Sequence, residues 1–114
     1  ISVIDPQLKR GLLDNCVLSL LRKGDSYGYQ IIKDLSPCVS ISESTLYPIL
    51  RRLEQNGSLS GYSVEHNGRL RKFYRITPRG VHQINDFLGG WDEISRIYDF
   101  IKECAEHDTD RISD

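Results

Sequence analysis

The sequence lacks the features that mark membrane, secreted and disulfide-rich proteins. Its 114 residues contain no run of about eighteen apolar side chains, and residues 1–5 lack the basic start and apolar stretch of a signal peptide. The three cysteines are widely spaced and form no C-x-x-C pair, which disfavours a zinc ribbon or a redox centre. These absences and the short length predict one soluble, cytoplasmic domain with reduced thiols.

Motifs of common enzymes are also missing. The sequence contains no G-x-S-x-G elbow, phosphate-binding glycine loop, H-E-x-x-H pair or plausible Cys–His nucleophile. We therefore predict a protein that is not an enzyme and has no cofactor and no bound metal. One alternative stays open, because Cys104 and His107 lie three positions apart beside Asp108 and would suit a metal-sensing regulator.

Charge is nearly balanced overall but is unevenly distributed along the chain. The formal net charge is −1 at pH 7. Residues 1–50 are neutral, residues 51–79 carry a net charge of +5, and residues 80–114 carry a net charge of −6. We expect the middle segment to present a surface for an anionic ligand, while the acidic end favours solubility.

Apolar residues recur every three to four positions in the first part of the chain, which predicts two helices. Asp5-Pro6 forms a favourable helix start, and Gly24 ends the first helix. A second, shorter helix is expected from a cap at Ser26 to the break at Ser36-Pro37. The predicted core residues of these helices are Leu8, Leu12, Leu13, Cys16, Val17, Leu20, Leu21, Tyr27, Ile31, Ile32 and Leu35.

A third helix is expected to begin near Ser44 and to end at Gly57, with Pro48 straining or kinking its early turns. Its apolar stripe comprises Leu46, Ile49, Leu50 and Leu53. The side chains off that stripe are hydroxyls, guanidinium groups and an amide, which suit contacts to phosphates and base edges. They are Ser44, Thr45, Tyr47, Pro48, Arg51, Arg52 and Gln55. The alternative is that Arg51 and Arg52 form surface pairs with Glu54 or Gln55.

The hydrophobic period then changes to two, which predicts a β-hairpin over residues 59–65 and 70–77 with an Asn67-Gly68 turn. Three cations, Arg69, Arg71 and Lys72, surround that turn and suit a nucleic-acid backbone. The alternative is a solubilising edge strand with charged residues that block aggregation.

A long last helix is predicted to start at Thr77-Pro78. Its apolar stripe is wider than a small domain can cover, so we expect a partner helix from a second copy of the chain. The predicted dimer residues are Ile84, Phe87, Leu88, Trp91, Ile94, Tyr98 and Ile101. Gly89-Gly90 lowers helix propensity, and close packing, a bend or an open cavity would compensate.

The order of elements predicts a mainly α (α+β) fold, a winged helix-turn-helix with a two-stranded β wing and a long C-terminal dimerisation helix. We expect residues 5–80 to form the DNA-binding domain and residues 78–104 the dimerisation helix. Residues 105–114 are expected to form an acidic, fraying tail.

Three segments resemble the PadR family of bacterial transcriptional regulators. The recognition helix of that family resembles residues 42–54, SESTLYPILRRLE. Its wing resembles residues 68–80, GRLRKFYRITPRG, and the start of its second helix resembles residues 26–29, SYGY. The resemblance covers roughly residues 8–101. The single C-terminal helix is similar to that of the small subgroup of the family, in which one such helix forms the dimer. Leu70 stands where the family usually has proline, and Ser44 where it often has glycine.

The resemblance implies a homodimeric, sequence-specific DNA-binding regulator, usually a repressor, that binds a pseudo-palindromic operator. It implies recognition-helix contacts from Thr45, Tyr47 and Arg51, and wing contacts from Arg69, Arg71 and Lys72. Some small family members bind planar aromatic ligands beside a tryptophan at the dimer interface, a position comparable to Trp91. The alternatives are a Trp91 that only packs against its dimer partner, and a winged helix that serves as a protein-protein interaction module.

Overall fold

The computed structural model describes the backbone of residues 5–112 and the side chains of residues 5–107. These residues form two compact units, which divide between Ile84 and Asn85. No helix in this range is long and apolar enough to span a membrane. The elements are α1 (Pro6–Lys23), β1 (Ser26–Tyr27), α2 (Gly28–Leu35), α3 (Glu43–Gln55), β2 (Leu59–His66), β3 (Arg69–Ile76) and α4 (Pro78–Ile112).

The first three helices pack their leucine-rich stripes into one core. The Asp5 carboxylate accepts hydrogen bonds from the backbone N–H groups of Gln7 and Leu8, so the predicted start of α1 is confirmed. The predicted stripe of α1 needs one correction, because Leu18 is buried whereas Leu8 is exposed. The core comprises Leu13, Val17, Leu18, Leu21, Ile31, Leu35, Leu46, Ile49, Leu50, Leu53, Leu59, Tyr74 and Ile84.

The wing belongs to a three-stranded antiparallel sheet with the order β1-β3-β2. The prediction of a two-stranded wing missed β1, in which Ser26 pairs with Tyr74 and Tyr27 with Phe73. The prediction that Ser26 caps a helix was therefore wrong, and α2 begins at Gly28. The edge of β3 binds the backbone of these two residues, a long-range partner that local sequence does not reveal.

The hairpin forms with the predicted turn. Asn67 and Gly68 have φ angles of 52° and 78°, the left-handed values that a two-residue turn between twisted strands requires. This turn sets a register in which His66 pairs with Arg69 and Leu59 with Ile76. The winged-helix fold predicted from the sequence is confirmed.

Helix α3 begins at Glu43, one residue before the predicted start, and Pro48 lies inside it. Pro48 is exposed, so the one hydrogen bond that its missing N–H removes lies on the solvent side of the helix. Gly57, with φ of 84°, follows the helix as predicted.

Helix α4 begins at Pro78, as predicted. The Thr77 hydroxyl accepts a hydrogen bond from the Gly80 N–H at 3.2 Å and donates one to the Gly57 carbonyl at 2.6 Å. Ile84 is only 4% exposed and belongs to the core of the first unit. Its assignment to the dimer interface is therefore corrected, because its side chain is already covered within its own chain.

The helical backbone of α4 continues to Ile112, past the predicted end at residue 104. Side chains from residue 108 onward, which include most of the predicted acidic tail, lie outside the described residues.

Candidate nucleic-acid interface

Helix α3 separates its apolar and polar side chains onto opposite faces. Leu46, Leu50 and Leu53 are fully buried, whereas the side chains predicted to contact DNA, Ser44, Thr45, Tyr47 and Arg51, are all exposed. Arg51 forms no ion pair with any carboxylate of the described residues. The burial of the leucines orients the helix, so the polar face is presented to solvent, where the Ser44 and Thr45 hydroxyls lie 2.8 and 3.3 Å from the Ser42 hydroxyl.

The neighbouring Arg52 has a structural role instead. Its guanidinium forms an ion pair with Asp14 of α1, so neither Glu54 nor Gln55 is its partner. Burial raises the pKa of the Asp14 carboxyl, and the charge and hydrogen bond of Arg52 offset this effect only in part. Arg52 thus joins α3 to α1, and its charge is already paired with Asp14, whereas Arg51 forms no ion pair among the described residues.

Tyr47 packs directly over Gly28, the first residue of α2. A methyl group at Gly28 would lie 2.5 Å from the Tyr47 hydroxyl oxygen and 2.9 Å from its Cζ atom, so only glycine admits this ring position. Beside this contact lies a groove of about 400 Å³ between α3 and the wing. Its lining comprises Tyr27, Gly28, Tyr29, Tyr47, Arg71, Lys72 and Tyr74. The groove brings predicted recognition-helix and wing residues to one place.

The face of β3 that carries Arg71, Phe73 and Arg75 forms an aromatic ladder with its two neighbouring strands. The Phe73 ring lies 5.2 Å from the Tyr27 ring and 5.8 Å from the Tyr62 ring, between centroids. Arg71 lies over Tyr27 with its Cζ 4.2 Å from the ring centroid. This cation–π contact holds Arg71 beside the groove without neutralising its charge.

Arg75 is held at the other end of the ladder. Its Nε donates to Asp25 at 3.1 Å, and the Tyr62 hydroxyl donates to the same carboxylate oxygen at 2.7 Å. The Tyr62 hydrogen bond, followed by the hydrogen bond and charge of Arg75, lowers the pKa of Asp25. The same hydrogen bond raises the pKa of Tyr62. Arg75 therefore braces the sheet.

Lys72 lies on the opposite face of β3 and connects the wing to α3. Its Nζ donates to Glu54 Oε1 at 3.0 Å, and this hydrogen bond raises the pKa of Lys72. A methyl group at Gly61 would lie 2.5 Å from Lys72 Cε and 2.8 Å from Glu54 Oε2, so Gly61 leaves room for the bridge. Of the three predicted wing contacts, Lys72 alone already has an acidic partner among the described residues.

The wing tip presents Arg69 and Leu70 to solvent. Leu70 is 77% exposed, and both residues line a shallow hollow of about 460 Å³ with His66, Asn67 and Arg71. Arg69 forms no ion pair within the part of the chain that the structure describes. The wing tip therefore presents an unpaired cation, Arg69, next to the Asn67-Gly68 turn.

A second groove, between α1 and α3, was not predicted from the sequence. This groove of about 370 Å³ places Lys9 and Arg10 of α1 next to Ser44 and Thr45, with Arg52 also at its wall. Nor were Tyr27 and Tyr29 predicted to line the first groove. The SYGY segment was a usable signal for the tyrosines, whereas nothing in the local sequence relates residues 9–10 to residues 44–45.

The second unit, from Asn85 onward, is a helix with many exposed apolar side chains. They are Leu88, Trp91, Ile94, Ile97, Tyr98, Phe100 and Ile101. Phe87 is half-buried, and its ring lies 5.8 Å from the Trp91 ring, between centroids. Methyl groups built at Gly89 and Gly90 would meet nothing within 4 Å.

The side chains described for the chain form no group of three or more possible metal ligands, and Asp108 lies outside them.

Comparison with known sequences agrees with this architecture. The sequence profile of the transcriptional regulator PadR-like family matches residues 17–86. An uncharacterised protein of Lysinibacillus sphaericus is 34% identical over 102 residues, which cover 85% of this chain and 94% of that protein. The negative transcriptional regulator PadR of Bacillus subtilis is 30% identical over 82 residues, which cover 68% of this chain but 45% of that protein.

Solved structures are similar over the same region. A transcriptional regulator from Clostridium thermocellum superposes with a TM-score of 0.74 at 37% identity, covering 85% of this chain and 96% of that chain. Bacillus subtilis PadR in complex with operator DNA superposes with a TM-score of 0.64 at 28% identity, covering 68% of this chain and 46% of that chain.

Proposed function

Because the chain belongs to the PadR-like family of transcriptional regulators, we propose that it binds a specific double-stranded DNA site and represses transcription there. The observation that carries this proposal is the groove at which the exposed face of α3 meets the cationic wing, with Tyr47 and Arg71 in its lining. The negative-regulator name of the Bacillus subtilis relative supports repression rather than activation. The function requires access to DNA and hence a cytoplasmic location.

In this proposal α3 enters the major groove and the wing follows the DNA backbone. Thr45, Tyr47 and Arg51 project from the polar face and reach base edges or phosphates, with Ser44 beside them. Arg69 and Arg71 contact phosphates or the minor groove. Lys72 contributes less than Arg69, because a phosphate would have to share it with Glu54.

We further propose that the protein acts as a homodimer through the apolar face of α4. Trp91, Ile94, Tyr98 and Ile101 are each at least 40% exposed in the single chain. A second copy is the occupant that this face fits, because pairing identical helices covers both stripes at once. Two-fold symmetry then demands a pseudo-palindromic site with half-sites about 34 Å apart, one turn of DNA.

The test is selection of bound duplexes from a random DNA library, followed by titration of the best site at two salt concentrations. We expect a palindromic motif that still binds at the higher salt concentration. Arg69→Ala should lower the slope of log affinity against log salt by about one, because one phosphate contact is lost. Arg51→Ala should weaken the selected site more than random DNA.

Lys33→Ala is the matched control, because Lys33 is an exposed cation outside the lining of the groove. It should leave both affinity and salt slope unchanged. Binding without any motif would contradict sequence-specific recognition, and no binding would favour a protein-protein interaction module. Repression is tested separately with a reporter promoter that overlaps the selected site, whose output should fall when the protein is added.

A planar aromatic effector between the two copies of α4 is a second proposal, which depends on the dimer. Trp91 is 40% exposed, and the neighbouring Gly89 and Gly90 leave open space beside it. Planar cationic dyes should quench Trp91 fluorescence and bind in equilibrium dialysis. Trp91→Ala should abolish binding in dialysis while the dimer persists. Unchanged dye binding by that variant would instead indicate that Trp91 only packs against the partner helix.

A further inference from the structure

The α1–α3 groove, which lies between these two helices, has a volume of about 370 Å³. Lys9 and Arg10 of α1 and the hydroxyl side chains Ser44 and Thr45 of α3 lie along it. No carboxylate lies among the described residues of its lining, so the groove is cationic. The remainder of that lining comprises Pro6, Leu13, Pro48, Ile49 and Arg52, of which Leu13 and Ile49 belong to the packed core.

Two of the three cations in this lining are not paired within the described residues. Lys9 and Arg10 are exposed and form no ion pair there, whereas Arg52 is paired with Asp14. Burial raises the pKa of Asp14, the charge and hydrogen bond of Arg52 offset part of this rise, and the charge of Arg10 has the smallest effect. The α1–α3 groove thus keeps two cations that can attract a negative group.

The positions of Lys9 and Arg10 are not explained by the stability of α1. Both lie in the first two turns of a helix that begins at Pro6, and the helix dipole does not favour positive charge there. The cations of the last turn, Arg22 and Lys23, lie at the end that the dipole does favour. An anion bound in the α1–α3 groove would account for the placement of Lys9 and Arg10.

The α1–α3 groove is continuous with the exposed polar face of α3. Ser44 and Thr45 belong to both surfaces. Their hydroxyl groups can donate hydrogen bonds to phosphate oxygens, which are frequent partners of serine and threonine in DNA complexes. A nucleic-acid backbone that passes beside α3 could therefore contact this groove without leaving the helix.

The wing and α1 flank α3 on different sides. Glu54 of α3 bonds Lys72 of the wing, and Arg52 of α3 pairs with Asp14 of α1. These two positions of α3 are separated by two residues, which corresponds to about 200° around the helix axis. A helix in the major groove has one phosphate backbone on each side of it. With the wing on one backbone, the α1–α3 groove lies toward the other.

We propose that the α1–α3 groove is a second phosphate-binding site for DNA, in which Lys9 and Arg10 hold the backbone strand that the wing does not contact. This inference rests on the proposed DNA-binding function and adds to it a contact from outside α3 and the wing. Phosphate contacts carry no sequence information, so the site positions α3 on the duplex and contributes equally to every DNA sequence.

The test measures binding of the full chain to the selected duplex and to a random-sequence duplex over a range of salt concentrations. Lys9→Ala and Arg10→Ala should each lower the slope of log affinity against log salt by about one for every bound copy of the chain. Each should weaken binding to the two duplexes by the same factor. Both side chains are exposed, so the unfolding temperature of the variants should match that of the wild type.

Lys23→Ala is the matched control. Lys23 is an exposed cation of the same helix, about 21 Å along the axis from Lys9. It lies outside the lining of the α1–α3 groove, so its replacement should leave the affinity and the salt slope unchanged.

A neutral methylphosphonate placed in turn at each phosphate of the duplex locates the contact. At one position per half-site this replacement should weaken binding of the wild type but have little further effect on Lys9→Ala or Arg10→Ala, because the same interaction is already lost. A purely structural role of these side chains would leave the methylphosphonate effects identical in all variants, which would overturn the proposal.

The outcomes separate this proposal from the proposed function. Unchanged salt slopes in both variants, with the wild type still selective for its site, would overturn the phosphate site and leave the proposed function standing. Equal binding of both duplexes by the wild type, with lower slopes in Lys9→Ala and Arg10→Ala, would support the phosphate site and contradict sequence-specific recognition. A wild type that binds neither duplex would overturn both.

Discussion

The two units of this chain treat their apolar side chains in opposite ways. In the described residues up to Ile84, leucines and isoleucines from α1, α2, α3 and the sheet form one buried core. From Asn85 onward, large apolar side chains such as Ile94, Tyr98 and Phe100 are about half exposed or more. The first unit therefore covers its apolar side chains within one chain, whereas the second leaves them exposed, and the proposed dimer would cover them.

The charge distribution follows the same division. The three cations of the candidate interface that form no ion pair among the described residues, Arg51, Arg69 and Arg71, all belong to the first unit, and the C-terminal segment is strongly acidic. An acidic helix repels DNA, so the two units suit different partners. One surface of this protein therefore carries the proposed DNA contact, and another carries the proposed dimer contact.

The largest expected effect is on the core of the first unit. Leu50 is fully buried, so Leu50→Ala should lower the free energy of unfolding by about 2–5 kcal/mol through lost burial and a cavity. Leu70→Ala is the control, because Leu70 is 77% exposed and its loss should cost less than about 0.5 kcal/mol. Chemical denaturation measures both. Equal losses would mean that the core does not hold this unit together.

The next effect concerns the exposed face of α4. Tyr98→Asp places a charge in the proposed dimer contact and should raise the dimer dissociation constant about 100-fold, the effect of losing one central contact. Arg96→Asp introduces the same carboxylate on the opposite side of the helix and should leave dimerisation nearly unchanged. Sedimentation equilibrium measures both constants. A dimer insensitive to Tyr98→Asp would remove α4 from the interface.

A smaller effect is expected where α2 meets α3. Gly28→Ala should push the Tyr47 ring out of its position and weaken DNA binding about tenfold, an effect of about 1.4 kcal/mol. The stability cost should be small, because the clash falls on the far end of an exposed side chain. Gly11→Ala is the control, since a methyl group there meets nothing within 4 Å. Unchanged DNA affinity in Gly28→Ala would show that the position of Tyr47 is not critical.

The smallest effects concern two buttressing carboxylates, whose pKa shifts have opposite signs. The pKa of Asp25 is lowered in the folded state. The Asp25 carboxylate therefore stabilises the fold above pH 3.8, which is its unfolded pKa, and this stabilisation is lost as the pH falls through the folded pKa. The pKa of Asp14 is raised in the folded state. The protonated Asp14 carboxyl therefore stabilises the fold below pH 3.8, and this stabilisation is lost as the pH rises through the folded pKa. Asp25→Asn should therefore destabilise the protein at pH 7, and Asp14→Asn should not.

Each substitution should change the free energy of unfolding by less than about 1 kcal/mol, because these ion pairs are partly exposed. These changes should vanish in acid, where each carboxyl is protonated. Thermal unfolding from pH 3 to 7 measures them, and the same sign for both variants at pH 7 would contradict the assigned causes.

Elements defined by neighbouring residues were predictable. The Asp5 cap, the Asn67-Gly68 turn and the Thr77-Pro78 helix start each depend on a backbone preference that acts over a few positions. The periodicity of α3 likewise predicted which of its faces is buried. The polar face of that helix, and with it most of the candidate site, followed from the same pattern.

Contacts between distant residues could not be predicted in this way. The pairing of Ser26 with Tyr74 overrode a helix start that local chemistry favoured, and burial of Ile84 removed it from the predicted dimer face. The bond of Lys72 to Glu54 likewise depends on how the wing meets α3.

The amino-acid sequence by itself determined the order of the elements, their buried faces and the cationic segment, because these depend on local preference and on the period of apolar residues. Only the tertiary structure decided which cations of the candidate interface form ion pairs and which do not. The physical reason is that an ion pair requires two side chains within a few ångströms, and that proximity arises only when distant segments pack around a common core.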